Sequence, residues 1–268
     1  MRSLTFCFAV SLLGLVVCDE QSIKYMRTYI ANSVTTAGYK NVDDGYLQKF
    51  LDARDNKAFD AFELLQNYIR MRRTHPEAFI TATKAMKDII PPLFIVTNDT
   101  TPTGQRIVYG KPANWDFTHD TLSDAAAQLL PFLEYEVDQP NSPGRKNGYT
   151  LILDMRGWNL FHTAFVRASA MRLIIEMTER ALPVRIRTVH VVYETRLSDA
   201  LLPLARPFMS NELRNAFVYH GSDMSTLFSA IPARYLPTVI GGEKQLPQYS
   251  EQQLKEIDAR LKQIWSVI

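Results

Sequence analysis

Cysteine is almost absent from this sequence. The chain of 268 residues contains two, Cys7 and Cys18, and both lie within the first eighteen residues, MRSLTFCFAVSLLGLVVC. If that segment is removed, the remaining chain has no thiol, which excludes disulfides, thiolate catalysis and cysteine metal sites. Its stability must then come from a buried core, and a chain of this length buries roughly three quarters of its unfolded surface.

The same eighteen residues have the pattern of a secretory signal peptide. An early arginine precedes an apolar run from Leu4 to Val17, and the small residue Cys18 stands before an acidic stretch. The run is too short and too poorly flanked to predict a transmembrane helix. We therefore expect residues 1–18 to be a signal peptide and the protein to enter the secretory pathway or leave the cell. An uncleaved N-terminal extension is the alternative.

Motifs of common enzymes are also absent. The sequence has no G-x-S-x-G elbow, Walker A loop, G-x-G-x-x-G, H-E-x-x-H or C-x-x-C, and its five histidines lack the spacing of metal ligands. The net charge is only +2, so wholesale nucleic-acid binding is not expected. We predict no catalytic residue, no cofactor, no metal and no nucleic-acid partner.

One hydrolase hypothesis stays open. His220 follows a predicted strand, Ser222 and Asp223 are close to it in sequence, and Asp154 ends another strand. Adjacency in sequence is not triad geometry, however, and a strand-end histidine bonded to backbone is the more ordinary interpretation. For Asp154 the ordinary interpretation is a turn or capping aspartate.

Helical periodicity dominates the first part of the chain after the signal segment. Two stretches, 43–55 and 58–76, carry apolar residues at spacings of three and four, with Asp43 or Asp44 as the predicted N-cap and Pro76 just past the end. The segment IIPPLF, at 89–94, breaks this pattern. We therefore predict a helical N-terminal domain over residues 19–88.

Strands and helices alternate beyond residue 89. Predicted strands lie at 106–111, 149–155, 184–193 and 216–221, and predicted helices at 118–137, 167–183 and 196–209. Pro131 should kink the first of these helices. YTLILDM is typical of a strand buried on both faces of a parallel sheet. This alternation predicts an α/β domain over 89–245, followed by a C-terminal helix within 246–268.

Helix 196–209 carries an apolar stripe of Leu197, Leu201, Leu204 and Phe208. Such a stripe usually packs against a core. The functional alternative is a lid over an apolar pocket, with a far face that touches a membrane.

Six segments in order resemble the CRAL-TRIO lipid-transfer family and are most similar to its alpha-tocopherol transfer protein group. They are DDGYLQKFLDARDNKAFDAFELLQNYIRMRR, GQRIVYGKPANWD, LILDMRGWNLFH, LPVRIRTVHVVYE, ARPFMSNELRNAFVYHG and LPTVIGGE. The resemblance implies an α/β lipid-binding domain whose mixed sheet and mobile gate helix, here 196–209, enclose one hydrophobic ligand. It further implies a monomeric, non-enzymatic protein that binds and transfers a tocopherol- or retinoid-like lipid.

In the frame of this resemblance, ten residues are candidates for the wall of the pocket. They come from two strands, the intervening helix and the gate: Tyr149, Leu151, Leu153, Val184, Val189, Ile174, Met177, Leu197, Leu201 and Leu204.

The resemblance also implies a basic cluster that binds phosphoinositide headgroups of a membrane. Arg54, Arg185 and Arg187 match that cluster, and Arg214 substitutes in part for two further basic positions. Arginine suits phosphate because its planar fork binds two oxygens. The alternative is that Arg54 pairs with a carboxylate such as Glu63 or Asp55 and that the other two are solvated.

Three departures from the family stand out. Glu212 occupies a basic position of the cluster and should repel a phosphoinositide. Pro203 stands in mid-gate and should kink that helix. The family is chiefly cytosolic and membrane-peripheral, which a signal peptide contradicts. A phosphoinositide-reading interaction module with an empty pocket is therefore kept as an alternative function.

Overall fold

The computed structural model of the chain describes residues 20–87 and 92–267. The predicted signal peptide, both cysteines and the predicted domain boundary at residue 88 lie outside the described residues. Within those two ranges, no helix is both long enough and apolar enough to cross a membrane.

The N-terminal part is helical, as predicted. It consists of α1 (20–31), α2 (Asp44–Asp52), α3 (Ala58–Thr74) and α4 (Ala82–Lys87), with 3-10 turns at Ala37–Tyr39 and Pro76–Ala78. Asp43 caps α2 by accepting a hydrogen bond from the backbone N–H of Tyr46 at 2.7 Å. Arg54 falls beyond α2, in the turn that leads into α3.

Five strands form one mixed sheet. Their order is β1 (Phe94–Thr100), β2 (Arg106–Gly110), β3 (Tyr149–Asp154), β4 (Ile186–Val192) and β5 (Phe217–Tyr219). β1 and β2 are antiparallel, and all other neighbours are parallel. The pattern predicts the last four strands but not β1, since β1 begins beside a proline pair and ends in the turn-like triplet Asn98–Thr100.

The remaining helices cover the sheet. They are α5 (Leu122–Ala127), α6 (Leu130–Asp138), α7 (Pro143–Asn147), α8 (Leu160–Phe165), α9 (Ala168–Ile175) with a π-helical extension Glu176–Ala181, α10 (Arg196–Asp199), α11 (Leu201–Ala205), α12 (Asn211–Asn215), α13 (Met224–Ala230) and α14 (Glu251–Trp265). Short 3-10 turns occur at Pro112–Asn114, Arg206–Phe208, Ala233–Tyr235 and Thr238–Ile240. Pro131 stands in the first turn of α6, so the predicted helix 118–137 is two helices.

A segment whose prolines, glycines and asparagines indicate a loop contains a helix. The segment PNSPGRKNG contains α7, which Ser142 caps by accepting a hydrogen bond from the Arg145 backbone N–H at 3.2 Å. Five residues form too short a helix for a periodic pattern to reveal, and the proline and glycine at its start resemble a turn.

The C-terminal helix α14 packs back onto the N-terminal part. Its Asp258 accepts a hydrogen bond from the Ala82 backbone N–H at 2.6 Å and so caps α4. Trp265 donates its indole N–H to Glu134 of α6 at 2.6 Å. Burial raises the pKa of that carboxyl group. With these contacts, α14 and α6 join α2 and α3 in one hydrophobic cluster.

Alternate residues of the strands divide the sheet into two faces. On the packed face, Ile152 and Val192 join Leu227, Ile231 and other residues of the C-terminal segments in one cluster. On the opposite face, Leu151, Leu153, Val189 and Val191 look towards α9, α10 and α11. We call this second side the cavity face.

Candidate functional site

An apolar cavity of about 250 Å³ lies over the cavity face. Its wall comes from the sheet, from α9 with its extension, and from α10 and α11, and includes Leu151, Leu153, Val189, Val191, Met171, Ile174, Met177, Leu201, Leu202 and Ala205. Small-molecule sites in proteins begin at about 300 Å³ and have mostly apolar walls. This cavity therefore has the lining of a ligand site and is near the lower end of the size range.

Six of the ten predicted pocket residues line this cavity. They are Leu151, Leu153, Ile174, Met177, Val189 and Leu201. The resemblance assigned these elements to a pocket, and strand alternation and helical spacing, which are local properties of the chain, gave the side of each element.

Tyr149 does not line the cavity, which corrects that prediction. It lies at the start of β3, and its ring is buried against Gly144 of α7, where even a Cβ atom would come within 2.3 Å of it. Leu151 and Leu153 of the same strand line the cavity, but the cavity does not extend to Tyr149 at the start of β3.

Val184 was also predicted to line the pocket, and it does not line the cavity for a different reason. It precedes β4 and is buried in the cluster of the N-terminal part. The register of β3 and β4 shifts so that Tyr149 pairs with Ile186 but Thr150 pairs with Thr188, which leaves Arg187 as an extra residue. Because of this bulge, simple alternation from Val184 to Val189 does not apply.

The gate is broken, and two of its leucines point outwards. The predicted helix 196–209 is divided at Ala200 into α10 and α11. Pro203 explains the break, because its ring clashes with the carbonyl four residues earlier and it cannot donate to it. Leu197 and Leu204, predicted to face the pocket, are each 37% exposed and do not line it.

The outward side of the gate continues into an exposed aromatic ridge on α8. Phe161 is 65% exposed, and Phe161 and Phe165 both stack on Phe117, with ring centroids 6.4 Å and 5.0 Å apart. Thr163 of α8 donates its hydroxyl to the Leu197 carbonyl at 3.3 Å and so links α8 to α10. Exposed apolar residues therefore adjoin the elements that close the cavity.

A second, charged cleft of about 370 Å³ lies where the α2–α3 turn meets β4. Its cationic side chains are Arg54, Lys57, Arg180, Arg185 and Arg187, and its anionic ones are Asp55, Asp60, Glu179 and Glu212. The fold therefore brings three of the four predicted phosphoinositide residues together. Arg214 is absent from this wall, and its guanidinium donates to the Arg206 carbonyl at 3.1 Å.

The three predicted arginines of this cleft already contact other protein groups. Arg54 donates to the Glu179 carbonyl at 2.8 Å, and Arg185 pairs with Asp55 at 2.5 Å. Asp55 was one of the carboxylates expected to pair with Arg54, and the structure gives it to Arg185 instead. Burial lowers the pKa of Arg54 and of Arg185. Arg187 is exposed, and among the described residues its one hydrogen bond is a long contact of 3.4 Å with the Asn147 carbonyl.

No triad forms around His220. Its Nε2 lies 2.8 Å from His190 Nδ1, and its Nδ1 lies 2.8 Å from the Thr226 hydroxyl, so both ring nitrogens are engaged. Asp223 instead caps α13 by accepting from the Ser225 N–H at 3.0 Å. The described residues contain no group of three or more His, Cys, Asp or Glu placed to hold a metal ion.

Asp154 is a buried structural carboxylate. It accepts a hydrogen bond from the Tyr109 hydroxyl at 2.8 Å and pairs with Arg156 at 2.6 Å. It lies on the packed face, away from the cavity, as the ordinary interpretation of a turn aspartate predicts.

Sequence reasoning missed the polar end of the cavity. Glu194, Ser198, Asp199 and Tyr219 contribute to the wall there, although none of them was a candidate. Glu194 lies two residues beyond the carboxyl end of β4. The carboxyl ends of parallel strands are where α/β proteins commonly place ligand-binding groups. That signal in the sequence would have found it.

Comparisons with known proteins agree with this architecture. The family model described as CRAL/TRIO domain matches residues 93–242. A human alpha-tocopherol transfer protein-like protein is 29% identical over 204 residues, which cover 75% of this chain and 59% of that protein. Human Clavesin-2 is 29% identical over 220 residues, covering 79% of this chain and 65% of that relative.

This chain therefore spans less than two thirds of the length of the curated relatives that it matches. Among solved structures, one titled "Crystal structure of Sfh5" superposes with a TM-score of 0.59 and covers 93% of this chain and 97% of that one. At 13% identity, this likeness concerns the fold alone.

Proposed function

The chain belongs to the CRAL/TRIO domain family of lipid-binding proteins, and on this premise we propose that it is a non-enzymatic carrier that transfers one hydrophobic lipid between membranes. The apolar cavity is the binding site, formed within a lipid-binding domain over residues 89–245. The helical domain over 19–88 supports it, and one monomer is the working unit.

The observation that carries this proposal is the lining of the cavity. Apolar side chains such as Leu151, Met177 and Val189 form most of its wall. A tocopherol- or retinoid-sized molecule that leaves water there loses several hundred Å² of exposed apolar surface, worth on the order of 10 kcal/mol before the costs of binding. The relatives named alpha-tocopherol transfer protein-like make a tocopherol-like lipid the first candidate.

The exposed side of the gate supports transfer at a membrane surface. Leu197 and Leu204 of the gate and the α8 ridge with Phe161 form neighbouring exposed apolar surfaces beside the cavity. Apolar side chains that insert into the headgroup region hold a protein on a bilayer. A bilayer surface is therefore the partner we assign to this side of the molecule.

The charged cleft is the proposed contact for phosphoinositides. Of the three predicted arginines in the cleft, Arg187 is the best suited to reach a headgroup, because it is exposed and only weakly bonded. Arg54 and Arg185 lie beside it but would exchange existing contacts for phosphate. Glu212 lines the same cleft, which opposes a highly charged anion and favours modest affinity.

The test of the carrier function is native mass spectrometry, with lipid extraction, of the protein purified from its own tissue. We expect one bound hydrophobic molecule per chain, and a chain that begins near Asp19 if residues 1–18 act as a signal peptide. An intact N-terminus would instead favour a cytosolic, membrane-peripheral protein. A purified chain without lipid would contradict the carrier function and favour the interaction module.

Docking is tested by sedimentation with phosphatidylcholine vesicles, with and without phosphatidylinositol bisphosphate, over a range of salt concentrations. Arg187→Gln should weaken only the phosphoinositide-dependent part, by roughly threefold to tenfold, and flatten its salt dependence. Phe161→Asn should weaken binding to both vesicle types. Arg70→Gln, an exposed arginine outside the cleft, is the matched control. Equal binding by Arg187→Gln and wild type would remove the phosphoinositide contact.

A further inference from the structure

One carboxylate oxygen in the cavity wall is buried without a partner. Glu194 lies two residues beyond the end of β4 and lines the cavity. Its Oε1 accepts a hydrogen bond from the Gly221 backbone N–H at 2.7 Å. Its Oε2 is buried and has no hydrogen-bond partner among the residues that the structure describes. An unpaired buried acceptor carries a free-energy cost, which a suitable ligand group would remove.

The backbone is held in an unfavourable conformation to place this side chain. Tyr193, the residue before Glu194, has φ of +56°, a left-handed conformation that is uncommon for an aromatic residue. Its N–H donates to the Gly221 carbonyl at 2.7 Å, and the Arg156 guanidinium lies 4.6 Å from the centre of its ring. Such strain persists only where the surroundings enforce it, and it concentrates at functional sites.

Neighbouring hydroxyl groups do not satisfy Glu194. Thr178 and Ser198 also line the cavity, but each donates its hydroxyl to a backbone carbonyl of its own segment at 2.8 Å. Tyr219 and Asp199 share the polar end with Glu194. Burial raises the pKa of Tyr219, and the charges of Asp199 and Glu194 raise it further. This end of the cavity is therefore rich in acceptors and carries two carboxylates.

We propose that Glu194 Oε2 accepts a hydrogen bond from the polar end of the bound lipid, so that the cavity selects alcohols and phenols. This inference rests on the proposed carrier function and narrows its ligand. A fatty acid would meet the carboxylates of Glu194 and Asp199 and be repelled. A hydrocarbon, an ether or an ester would leave Oε2 buried and unpaired, because none of them can donate.

The experiment compares lipids that differ only at the polar end. Hexadecan-1-ol, its methyl ether and hexadecanoate compete with the uncharged fluorophore diphenylhexatriene for wild-type protein, Glu194→Gln and Glu243→Gln. Wild type should prefer the alcohol over the ether by about tenfold and over the carboxylate by more. Glu194→Gln should reduce the alcohol preference to about threefold or less, because an amide N–H can donate to the ether. Glu243 is exposed and outside the cavity, so its variant should behave as wild type.

Each outcome decides the inference. Equal affinity of alcohol and ether in wild type overturns it, whether or not the variant folds. An unchanged preference in Glu194→Gln, with normal binding of the fluorophore as evidence of folding, overturns it as well. If the fluorophore and all three lipids fail to bind wild type, the carrier function is rejected, and the inference with it. Binding of lipids without discrimination rejects the role of Glu194 alone.

Discussion

The two faces of the sheet use the same kind of residue and meet different surroundings. On the packed face, Ile107, Ile152 and Val192 are fully buried beneath α13 and the chain that follows it. On the cavity face, Leu151 and Leu153 are only partly buried, because the helices above them leave a space. Apolar strand residues thus stabilise the fold on one side and form a binding surface on the other.

Polar groups show the same contrast. On the packed face, hydrogen bonds link the side chain of His190 to that of His220, and the side chain of His220 to that of Thr226. At the edge of the cavity face, Glu194 keeps one oxygen unpaired. A satisfied buried network makes a core specific, whereas an unsatisfied acceptor beside a cavity is available for a ligand.

The largest expected effect is a difference in stability between alanine variants on the two faces of the sheet. Ile152→Ala should lower the free energy of unfolding by about 3 kcal/mol, because it opens a cavity in a closed core. Leu153→Ala, at the next position of the same strand, should cost about 1 kcal/mol, since its side chain already borders open space. Denaturant unfolding of both variants measures the difference. Equal losses would mean that the two faces are packed alike.

The next effect is a dependence of the protein's stability on pH, which arises from two histidines on the packed face. Burial and the neighbouring His220 lower the pKa of His190 to about 4, and burial lowers the pKa of His220, which Glu194 partly opposes. The folded protein therefore binds fewer protons than the unfolded chain below the ordinary histidine pKa of about 6.5. Stability should be fully present above that pH and fall by on the order of 2 kcal/mol as the pH drops to about 4.

Urea unfolding at a series of pH values tests this dependence. The double variant His190→Gln with His220→Gln should flatten the curve between about pH 6.5 and pH 4, because neither amide titrates. His119→Gln removes an exposed histidine and should leave the slope unchanged. Burial also lowers the pKa of His162, so a part of the slope should remain in the double variant. An undiminished slope would assign the pH dependence to groups other than His190 and His220.

The smallest expected effect on stability comes from a substitution on the cavity face that fills the cavity. Leu153→Trp should fill part of the cavity and lower the amount of co-purified lipid by about tenfold, while the free energy of unfolding changes by about 1 kcal/mol or less. Lipid extraction and denaturant unfolding measure the two quantities. The matched control is Val34→Trp, at an exposed position outside the cavity. Undiminished lipid in Leu153→Trp would place the ligand elsewhere.

Local patterns in the sequence predicted most of the fold. The helical N-terminal part, the Asp43 cap, the break at Pro131 and four of the five strands follow from spacing and turn chemistry that act over a few residues. The resemblance of ordered segments correctly predicted the family. The sequence patterns did not predict the short helix α7 or strand β1, because each lies among residues that usually form turns.

The sequence by itself determined which residues are apolar and where most of the elements lie, and hence that one face of β3 would carry Leu151 and Leu153. Only the tertiary structure decided that Leu197 is exposed, that Asp55 pairs with Arg185, and that one oxygen of Glu194, a residue of the cavity wall, is buried without a partner among the described residues. Periodicity gives the side of an element on which a residue lies but not what covers that side. What covers it depends on contacts between segments far apart in the chain, and those contacts form only when the whole chain has folded.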